Sequence, residues 1–398
     1  MINKVKFVEP AKVYRMIKDE LDAAYFEVMD KGDLIDRGQL KSFETNLAAF
    51  VGTKYAVGLN SGYDALHMSL RAAGIGAGDE VIVPAHTFVA TASAVVNVGA
   101  KPVLVDVGKD FNIDCDKITT AITPRTKAII PVHLSGYMAD MERVMEIAEK
   151  HGLVVVEDAC QSLGSSMLGK KATGNRQHSA TARIEEGEGS AAPNANGSKR
   201  MAGSWGLTGC WSFYPFKILG GYGDGGAITT NDPEVALFAT RMRYNGEDRD
   251  TGEYHGHGFT CLLDNMQAAF LDVKLRHLPR WIVRRKEIAA RYRAALSGLP
   301  DLLLPHYHDP RRDHVYQNYT VRSKQGTDFS EFMKARGVEV LTQFRKPYYR
   351  HEALQLEDRG FPETEAISRE VCSLPMNVEI TDEEVDYVIE VVRAFYSK

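Results

Sequence analysis

The stretch Val154-Val-Val-Glu-Asp158-Ala-Cys-Gln161 decides the fold class, because a short apolar run ends there in a carboxylate. Further short runs of strand-forming residues occur at 55–59, 80–83, 102–107, 127–132, 209–214 and 226–230. Strands that are apolar along their length are typical of sheets covered on both faces. Helical patterns lie between them at about 63–73, 87–98, 138–151 and 233–243. This alternation predicts an α/β fold with a mainly parallel, seven-stranded sheet flanked by helices.

The 398 residues suffice for two domains. A long charged helix is predicted over 264–297, followed by shorter elements up to a last helix at 382–396. We therefore predict a large domain over 1–263 and a smaller C-terminal α/β domain over 264–398. Residues 175–200 are polar and poor in bulky apolar groups, which predicts a mobile inserted loop. A lid over the active site and a tolerated insertion are both open readings of that loop.

Composition and charge argue against several classes of protein. The chain has 44% hydrophobic and 25% charged residues, and its net charge of −5 gives no electrostatic case for binding nucleic acid or an anionic membrane. No apolar run approaches the roughly 20 residues that span a bilayer. Five scattered cysteines favour reduced thiols in a cytoplasmic protein. His255-Gly-His257 lacks a third ligand, so no metal site is predicted.

Asp158 and Lys217 are the residues whose positions suggest chemistry. Ligands in open α/β sheets bind at the carboxyl ends of strands, where Asp158 could keep a pyridinium nitrogen protonated. A helix cap or a metal ligand is the commoner role for such an acid. Lys217 follows a strand and precedes a glycine-rich turn. Its amine, with an ordinary pKa of about 10.4, could form a Schiff base with a carbonyl cofactor, or it could be a solvated surface group.

Two further segments suggest a bound phosphate and a bound ring. Leu59-Asn-Ser61-Gly62-Tyr63-Asp64 leads from a strand into an amphipathic helix. The free N–H groups at that helix start would bind a phosphate, although Ser61 could also be a plain N-cap. Val83-Pro-Ala-His86-Thr87-Phe88 places an aromatic residue just beyond a strand end. That ring could stack on a planar ligand or pack in the core.

These four segments, in this order and spacing, resemble the DegT/DnrJ/EryC1/StrS sugar aminotransferases, which are fold-type I pyridoxal-phosphate enzymes. The resemblance covers most of the chain. It begins near Gly38-Gln-Leu-Lys-Ser-Phe-Glu44, includes Thr126-Lys-Ala-Ile-Ile-Pro-Val-His133-Leu-Ser-Gly136 and Gln267-Ala-Ala, and ends at Ser373-Leu-Pro375-Met. Each motif alone is weak, whereas the ordered set is specific.

The resemblance implies a role for each matching residue. Lys217 would carry pyridoxal 5'-phosphate as a Schiff base and later move protons between cofactor and substrate. Asp158 would pair with the ring nitrogen, Gln161 would lie near the ring hydroxyl, and Phe88 would stack on the ring. The phosphate would be bound by Gly62, Tyr63 and Ser212.

The sequence departs from the family pattern in four places. Tyr63 stands where threonine is usual, so phosphate binding there would rely on the main chain. Thr260 replaces an asparagine that reaches the neighbouring subunit's phosphate, and its hydroxyl can still donate one hydrogen bond. Leu262 replaces an arginine, which argues against a substrate carboxylate at that spot. The 175–200 insertion is longer than the corresponding family loop.

The resemblance also implies the reaction and the partners. Glutamate would donate an amino group to a nucleotide-linked 3-keto or 4-keto 6-deoxy sugar, with a soft preference for 3-keto. The product would serve a surface polysaccharide such as lipopolysaccharide O-antigen, or a glycosylated metabolite. A homodimer with shared active sites is expected. His133 and Tyr137 would contact the sugar or pack, and Arg345 would meet the nucleotide diphosphate or lie in a solvated basic turn.

Three alternatives stay open. The first is an aminotransferase that acts on another cyclic ketone, such as an inositol. The second is a sugar dehydratase or other lyase on the same cofactor, although Lys217 stands where such dehydratases have histidine. The third is a pyridoxal-phosphate regulator without turnover, which the short N-terminal stretch and the net charge disfavour.

Overall fold

Helices and strands alternate along much of the chain in the computed structural model, which describes residues 4–169, 199–305 and 309–397. The α-helices are Pro10–Met16 (α1), Lys18–Lys31 (α2), Gly38–Val51 (α3), Gly62–Ala72 (α4), Val89–Asn97 (α5), Cys115–Ala121 (α6), Met141–His151 (α7), Pro233–Met242 (α8), Asn265–Leu296 (α9), Gly326–Ala335 (α10), Pro362–Glu370 (α11) and Asp382–Tyr396 (α12). Short 3-10 turns lie at Leu134–Gly136, Tyr348–Arg350 and Glu352–Leu354.

The strands are Tyr55–Leu59 (β1), Glu80–Pro84 (β2), Lys101–Val105 (β3), Thr126–Ile129 (β4), Val154–Asp158 (β5), Ser166–Leu168 (β6), Lys199–Met201 (β7), Thr208–Ser212 (β8), Gly226–Thr230 (β9), Glu247–Asp248 (β10), Glu253–Tyr254 (β11), Leu302–Leu303 (β12), Arg312–Asp313 (β13), Tyr319–Ser323 (β14) and Val371–Leu374 (β15). Each of the seven predicted strands overlaps one of these, and the helices predicted at 264–297 and 382–396 correspond to α9 and α12.

A seven-stranded sheet with the order β1-β9-β8-β5-β4-β2-β3 lies at the centre of the molecule. Only β9 runs against its neighbours in this sheet, so the predicted mainly parallel sheet is confirmed. Apolar clusters cover both of its faces. Because β1, β2, β5 and β8 run in the same direction, their carboxyl ends meet at one edge, where ligands bind in such sheets.

A second apolar core lies toward the end of the chain. It is built by residues of α9, α10, α12, β14 and β15, and Val5 from the N-terminal segment joins it. Helix α9 also packs against α2 and α3, so it contacts both halves of the structure. The predicted division between 1–263 and 264–398 falls at the start of α9 and stays a prediction.

The insertion predicted over 175–200 lies outside the described residues, except for Lys199 and Arg200 at the start of β7. Within the ranges that the structure describes, no helix combines the length and apolar character needed to cross a membrane.

Asp106, which follows β3, links the central sheet to α11. Its carboxylate accepts hydrogen bonds from Thr364 N (2.9 Å), Thr364 Oγ1 (2.8 Å) and Glu363 N (3.1 Å), all in the first turn of α11. A carboxylate there satisfies free N–H groups and faces the positive end of the helix dipole. Burial disfavours its ionisation, but these hydrogen bonds outweigh that effect and hold the pKa of Asp106 below its ordinary value.

We predict that Asp106→Ala lowers the free energy of unfolding by about 2–3 kcal/mol, because it leaves buried donors of α11 unpaired. Asp114→Ala is the matched control, since Asp114 caps only its own helix, α6, and its loss costs about 1 kcal/mol. Urea unfolding followed by tryptophan fluorescence measures both values.

The difference in free energy of unfolding between wild type and Asp106→Ala should depend on pH. Because the pKa of Asp106 is lower in the folded state, its carboxylate contributes its full stabilisation at pH values above the ordinary carboxyl pKa of about 4. That contribution is lost as the pH falls through the folded-state pKa. The gap between wild type and Asp106→Ala should therefore close in acid. Equal costs for the Asp106 and Asp114 variants at neutral pH would contradict the proposed link.

Candidate active site

Asp158 lies at the carboxyl end of β5 with a side chain that is only 6% exposed. Its Oδ2 accepts a hydrogen bond from Thr91 Oγ1 (2.8 Å) on α5, and its Oδ1 accepts one from Cys160 N (3.3 Å). The hydroxyls of Thr87 and Thr91 are 3.1 Å apart. Because Thr91 uses its proton on Asp158, Thr87 must donate to Thr91. The two hydroxyls thus form a relay that orients the carboxylate. Sequence reasoning missed Thr91, although its i,i+4 spacing from Thr87 was a signal.

Glu157 points to the opposite side of β5, as alternation along a strand requires. Its Oε1 accepts hydrogen bonds from Trp205 N (2.6 Å) and Gly206 N (2.8 Å), and its Oε2 accepts one from Gly203 N (2.9 Å). Oε2 also lies 3.0 Å from His133 Nε2, while His133 Nδ1 accepts from Ala139 N (3.2 Å). His133 is fully buried with both ring nitrogens in use. This geometry favours packing for His133, and its predicted sugar contact stays untested.

Lys217 follows β8 and starts a tight turn. Its side chain is half-buried, and within the described part of the chain its Nζ makes no hydrogen bond or ion pair. The turn needs glycine at 220, where a Cβ would come within 2.4 Å of the Pro215 carbonyl oxygen. Gln267 Oε1 accepts a hydrogen bond from Tyr222 N (2.9 Å) and so holds the far side of the turn. The amine is therefore free, but the backbone that carries it is fixed.

Lys274 is a second lysine beside this turn, and its side chain is buried. Its Nζ donates to Gly220 O (2.6 Å) and lies 3.6 Å from the centre of the Tyr222 ring. Burial lowers the pKa of Lys274 to about 8, an effect that Glu379 opposes. A low amine pKa favours nucleophilic chemistry, but an amine enclosed in this way cannot reach a ligand. Lys217 is therefore the accessible lysine of the pair.

The N-terminus of α4 meets Ser212 at the end of β8. Ser61 caps this helix by accepting a hydrogen bond from Asp64 N (3.0 Å), which leaves the Gly62 and Tyr63 N–H groups without an intrahelical acceptor. A Cβ at Gly62 would lie 2.8 Å from both Cys160 Sγ and Ser212 Cβ. Three segments therefore converge here on a cradle of N–H and hydroxyl donors, which is suited to an anion.

The thiol of Cys160 connects this cradle to the charged residues of the site. Burial, and then the charge of Asp158, raise the pKa of Cys160 well above its ordinary value, whereas the charge of Lys217 opposes the shift. Both charges therefore act on one atom that lies beside Gly62. The structure places Lys217, Asp158, Gly62 and Ser212 at the same edge of the sheet, and their roles stay predictions.

Phe88 and Gln161 flank the same edge of the sheet. Phe88 is the N-cap of α5 and is 58% exposed, with its ring 6.4 Å from that of Phe344. An exposed ring at this place is available for stacking. Gln161 is buried, and its Oε1 accepts a hydrogen bond from Ser135 N (2.8 Å). Its amide NH₂ group is the part that can turn toward a ligand.

Two further cofactor candidates have side chains engaged elsewhere. Tyr63 Oη accepts a hydrogen bond from Asn97 Nδ2 (2.6 Å), and its ring stacks on His67, so Tyr63 offers main-chain groups to the cradle. Thr260 is exposed, and its Oγ1 donates to Asn245 Oδ1 (3.0 Å). Thr260 therefore faces away from the protein interior.

Tyr137 and Arg345 are not placed together. Tyr137 is buried, and the Arg312 guanidinium lies 4.4 Å from its ring centre. Arg345 is half-buried and donates to Gly326 O (2.7 Å) and Ser330 Oγ (2.8 Å) on α10. These contacts tie Arg345 to α10 rather than leave it solvated. Sugar contact by Tyr137 and nucleotide-diphosphate contact by Arg345 stay predictions. Among the residues with described positions, no cluster of three or more His, Cys, Asp or Glu could hold a metal ion.

Comparison with known proteins gives matches over nearly the whole chain. The model of the DegT/DnrJ/EryC1/StrS aminotransferase family matches residues 15–393. The "dTDP-3-amino-3,4,6-trideoxy-alpha-D-glucose transaminase" of Streptomyces venezuelae is 38% identical over 394 residues, covering 98% of this chain and 96% of the relative. The "Pleiotropic regulatory protein" of Geobacillus stearothermophilus is 36% identical over 397 residues, covering 98% of each chain.

Solved structures show the same similarity. S. venezuelae DesV in complex with a ketimine intermediate superposes with a TM-score of 0.88 at 37% identity, covering 99% of both chains. NtdA from Bacillus subtilis, with the cofactor PMP bound, gives a TM-score of 0.84 at 27% identity, covering 100% of this chain and 86% of the other.

We predict that Gly62→Ala destabilises the protein by about 1–3 kcal/mol, because the new methyl group overpacks the cradle. It should also abolish binding of any phosphate ligand there. Gly38→Ala is the matched control, since a Cβ at the first residue of α3 meets nothing within 4 Å. That change should stabilise by about 0.4–1 kcal/mol. Thermal unfolding measures both, and a neutral Gly62→Ala would refute the close packing described here.

Proposed function

We propose a reaction for this chain from the premise that it belongs to the DegT/DnrJ/EryC1/StrS aminotransferase family, whose model matches residues 15–393. The reaction moves an amino group from glutamate to the keto group of a nucleotide-linked sugar, with pyridoxal phosphate as the cofactor. One observation carries the proposal. The free Lys217 amine shares one sheet edge with the buried Asp158 carboxylate and with the donor cradle at α4.

The residues at this edge fit pyridoxal phosphate. The Gly62 and Tyr63 N–H groups and the Ser212 hydroxyl would hold its phosphate, and the lack of a Cβ at Gly62 lets the start of α4 pack against Cys160 and Ser212. Phe88 would stack on the ring, with Gln161 near the ring hydroxyl. Thr260 would act toward the site of a second subunit. When bound, the cofactor supplies a carbonyl for the lysine amine and a ring that accepts electrons from the reacting carbon.

Asp158 and Lys217 have separate tasks in this mechanism. The Asp158 carboxylate, oriented by Thr91, would keep a proton on the ring nitrogen through charge-assisted hydrogen bonding. The Lys217 Nζ would take a proton from the donor's α-carbon and later deliver one to the acceptor carbon. No described residue forms a hydrogen bond or ion pair with this amine, so it is free to move between the donor carbon and the acceptor carbon.

The acceptor we propose is a 3-keto 6-deoxy sugar linked to a nucleotide. The 38% identical relative is named for a 3-amino dTDP-sugar, which supports amination at C3. Leu262, in place of the family's arginine, removes a cation and disfavours a sugar with a carboxylate at that spot. The product would serve a surface polysaccharide or a glycosylated metabolite. We place the enzyme in the cytoplasm, because all five cysteines are free thiols.

The alternatives differ in substrate, in product or in whether the protein turns over a substrate at all. A dehydratase would release water from the sugar without consuming glutamate, and an inositol-type enzyme would accept a cyclic ketone that carries no nucleotide. The name of the Geobacillus stearothermophilus relative would fit a regulator. A free lysine amine beside an oriented carboxylate supports an enzyme rather than a regulator without turnover.

We also propose that two copies of the chain form a homodimer. Large apolar side chains that are more than 40% exposed cluster on and around α2, and they are Met16, Tyr25, Phe26, Met29, Leu34 and Ile35. A group of exposed apolar side chains of this kind, here called the α2 patch, is typical of an interaction site. A second copy of the chain would cover this patch. The exposed Thr260 would then contribute to the active site of that second copy.

We expect the wild-type protein to transfer ¹⁵N from labelled glutamate to a dTDP-linked 3-keto-6-deoxyhexose, as followed by mass spectrometry. Lys217→Ala should reduce kcat by at least about 1,000-fold, since removal of a covalent catalytic group has effects of that size or larger. Lys127→Ala, at an exposed lysine of β4, is the control and should be neutral.

Other outcomes of this assay separate the alternatives. Loss of water from the sugar with no ¹⁵N transfer indicates a dehydratase. Full activity of Lys217→Ala would contradict the assigned role of the lysine.

We predict that Phe26→Glu combined with Met29→Glu converts a dimer into monomers, because the two charges would be buried at the interface. Sedimentation equilibrium should show the mass falling by half. Leu303→Glu is the control, since Leu303 is 60% exposed on β12, outside this patch. A monomeric wild-type protein would refute the proposed dimer.

A further inference from the structure

Gln317, just before β14, forms hydrogen bonds to the peptide groups on both sides of Lys217. Its Oε1 accepts from Ile218 N (2.6 Å), and its Nε2 donates to Phe216 O (2.9 Å). The side chain is 7% exposed, so water does not replace these contacts easily. One amide therefore fixes the backbone immediately before and after the lysine, from a position 100 residues further along the chain.

The segment that carries Gln317 is itself held firmly. Arg285 on α9 is buried, and its Nη1 donates to Tyr316 O (2.9 Å) and to Met376 O (2.7 Å). Tyr316 has a φ of 53°, a left-handed conformation that bulky residues adopt only when their surroundings impose it. The His314 ring stacks on Tyr316 at 3.9 Å, and His314 Nδ1 accepts from Tyr316 N (3.0 Å). Gln317 is thus fixed before it contacts the lysine turn.

We propose that Gln317 is a positioning residue for Lys217, whose amide sets the direction from which the lysine amine reaches its ligand. This inference rests on the proposed function of Lys217, and it adds a residue outside the set that the sequence suggested. The position asks for one donor and one acceptor at a fixed separation, which a primary amide provides. Loss of either hydrogen bond leaves a buried backbone group unpaired and lets the turn shift.

The Lys217 turn has a second contact with α9, through Lys274 and Gly220. That contact holds the end of the turn, whereas Gln317 holds the residues next to the lysine. A shift of Gln317 with the C-terminal core would therefore move the lysine directly. Displacements of about 1 Å at a reacting group can cost on the order of 100-fold in rate.

Gln317→Met tests this role, because methionine has a similar size but cannot form either hydrogen bond. We expect kcat for the glutamate half-reaction to fall about 10- to 100-fold while KM for glutamate changes less than about 3-fold, since the binding groups are untouched. Borohydride reduction followed by peptide mass mapping should show a smaller fraction of pyridoxal phosphate trapped on Lys217, at equal total cofactor content.

Two companion variants make the test specific. Gln317→Glu keeps the acceptor for Ile218 N and loses the donor, so its kcat should lie between those of wild type and Gln317→Met. Asn318→Ala removes an equally buried neighbouring amide that bonds to Gln343 instead of the lysine turn, and it should leave kcat and trapping at wild-type values. If the Met and Glu variants both match Asn318→Ala, the positioning role is overturned.

Hydrogen exchange separates this inference from the proposed function. In protein without added cofactor, the peptide containing Ile218 should exchange faster in Gln317→Met than in wild type or Asn318→Ala. A wild-type protein that binds no pyridoxal phosphate would contradict the proposed function but would not affect this prediction for hydrogen exchange. Unchanged hydrogen exchange around Ile218 in Gln317→Met would overturn the positioning role of Gln317, whether or not the protein binds pyridoxal phosphate.

Discussion

Burial of the Asp158 carboxylate at the end of β5 is the interaction on which the rest of the site depends. A buried carboxylate is costly unless donors or a cation compensate it. Thr91 Oγ1 and Cys160 N supply two hydrogen bonds, and the parallel strands bring Lys217 and the α4 N-terminus to the same edge. A protonated ring nitrogen would complete the compensation. The same edge therefore carries the buried acid and the groups that we propose for the cofactor.

The two apolar cores meet around the lysine turn. Gln317 reaches Phe216 and Ile218 from the segment before β14, and Lys274 reaches Gly220 from α9. Asp106 makes a third link by capping α11 from the end of β3. These contacts are polar and directional, so they specify one arrangement of the cores more strongly than apolar packing does. The position of the backbone around Lys217 thus depends on contacts from distant parts of the chain.

Local patterns predicted the sheet and the long helix α9, because strand ends and helix starts are encoded by neighbouring residues. They also gave Lys217, Asp158 and Gly62 as candidates, whereas Ser212 was a candidate only through the resemblance to the family. The partners of these groups were not predictable in the same way. Gln317 contacts the Lys217 turn across 100 residues of chain, and no periodicity reports such a contact. His133 lies in a motif that resembles the family's, yet the alternation of β5 turns Glu157 toward it and buries both. Such pairings arise from the tertiary fold.

The most direct test of the proposed function is an absorption spectrum of the purified protein with pyridoxal phosphate, before and after addition of glutamate, for wild type and Lys217→Ala. We expect a visible band in the wild type that bleaches with glutamate and that is missing from the variant before any amine is added. A wild-type protein that stays colourless after incubation with pyridoxal phosphate would contradict the proposed function, and the converging residues would then be a scaffold without this chemistry.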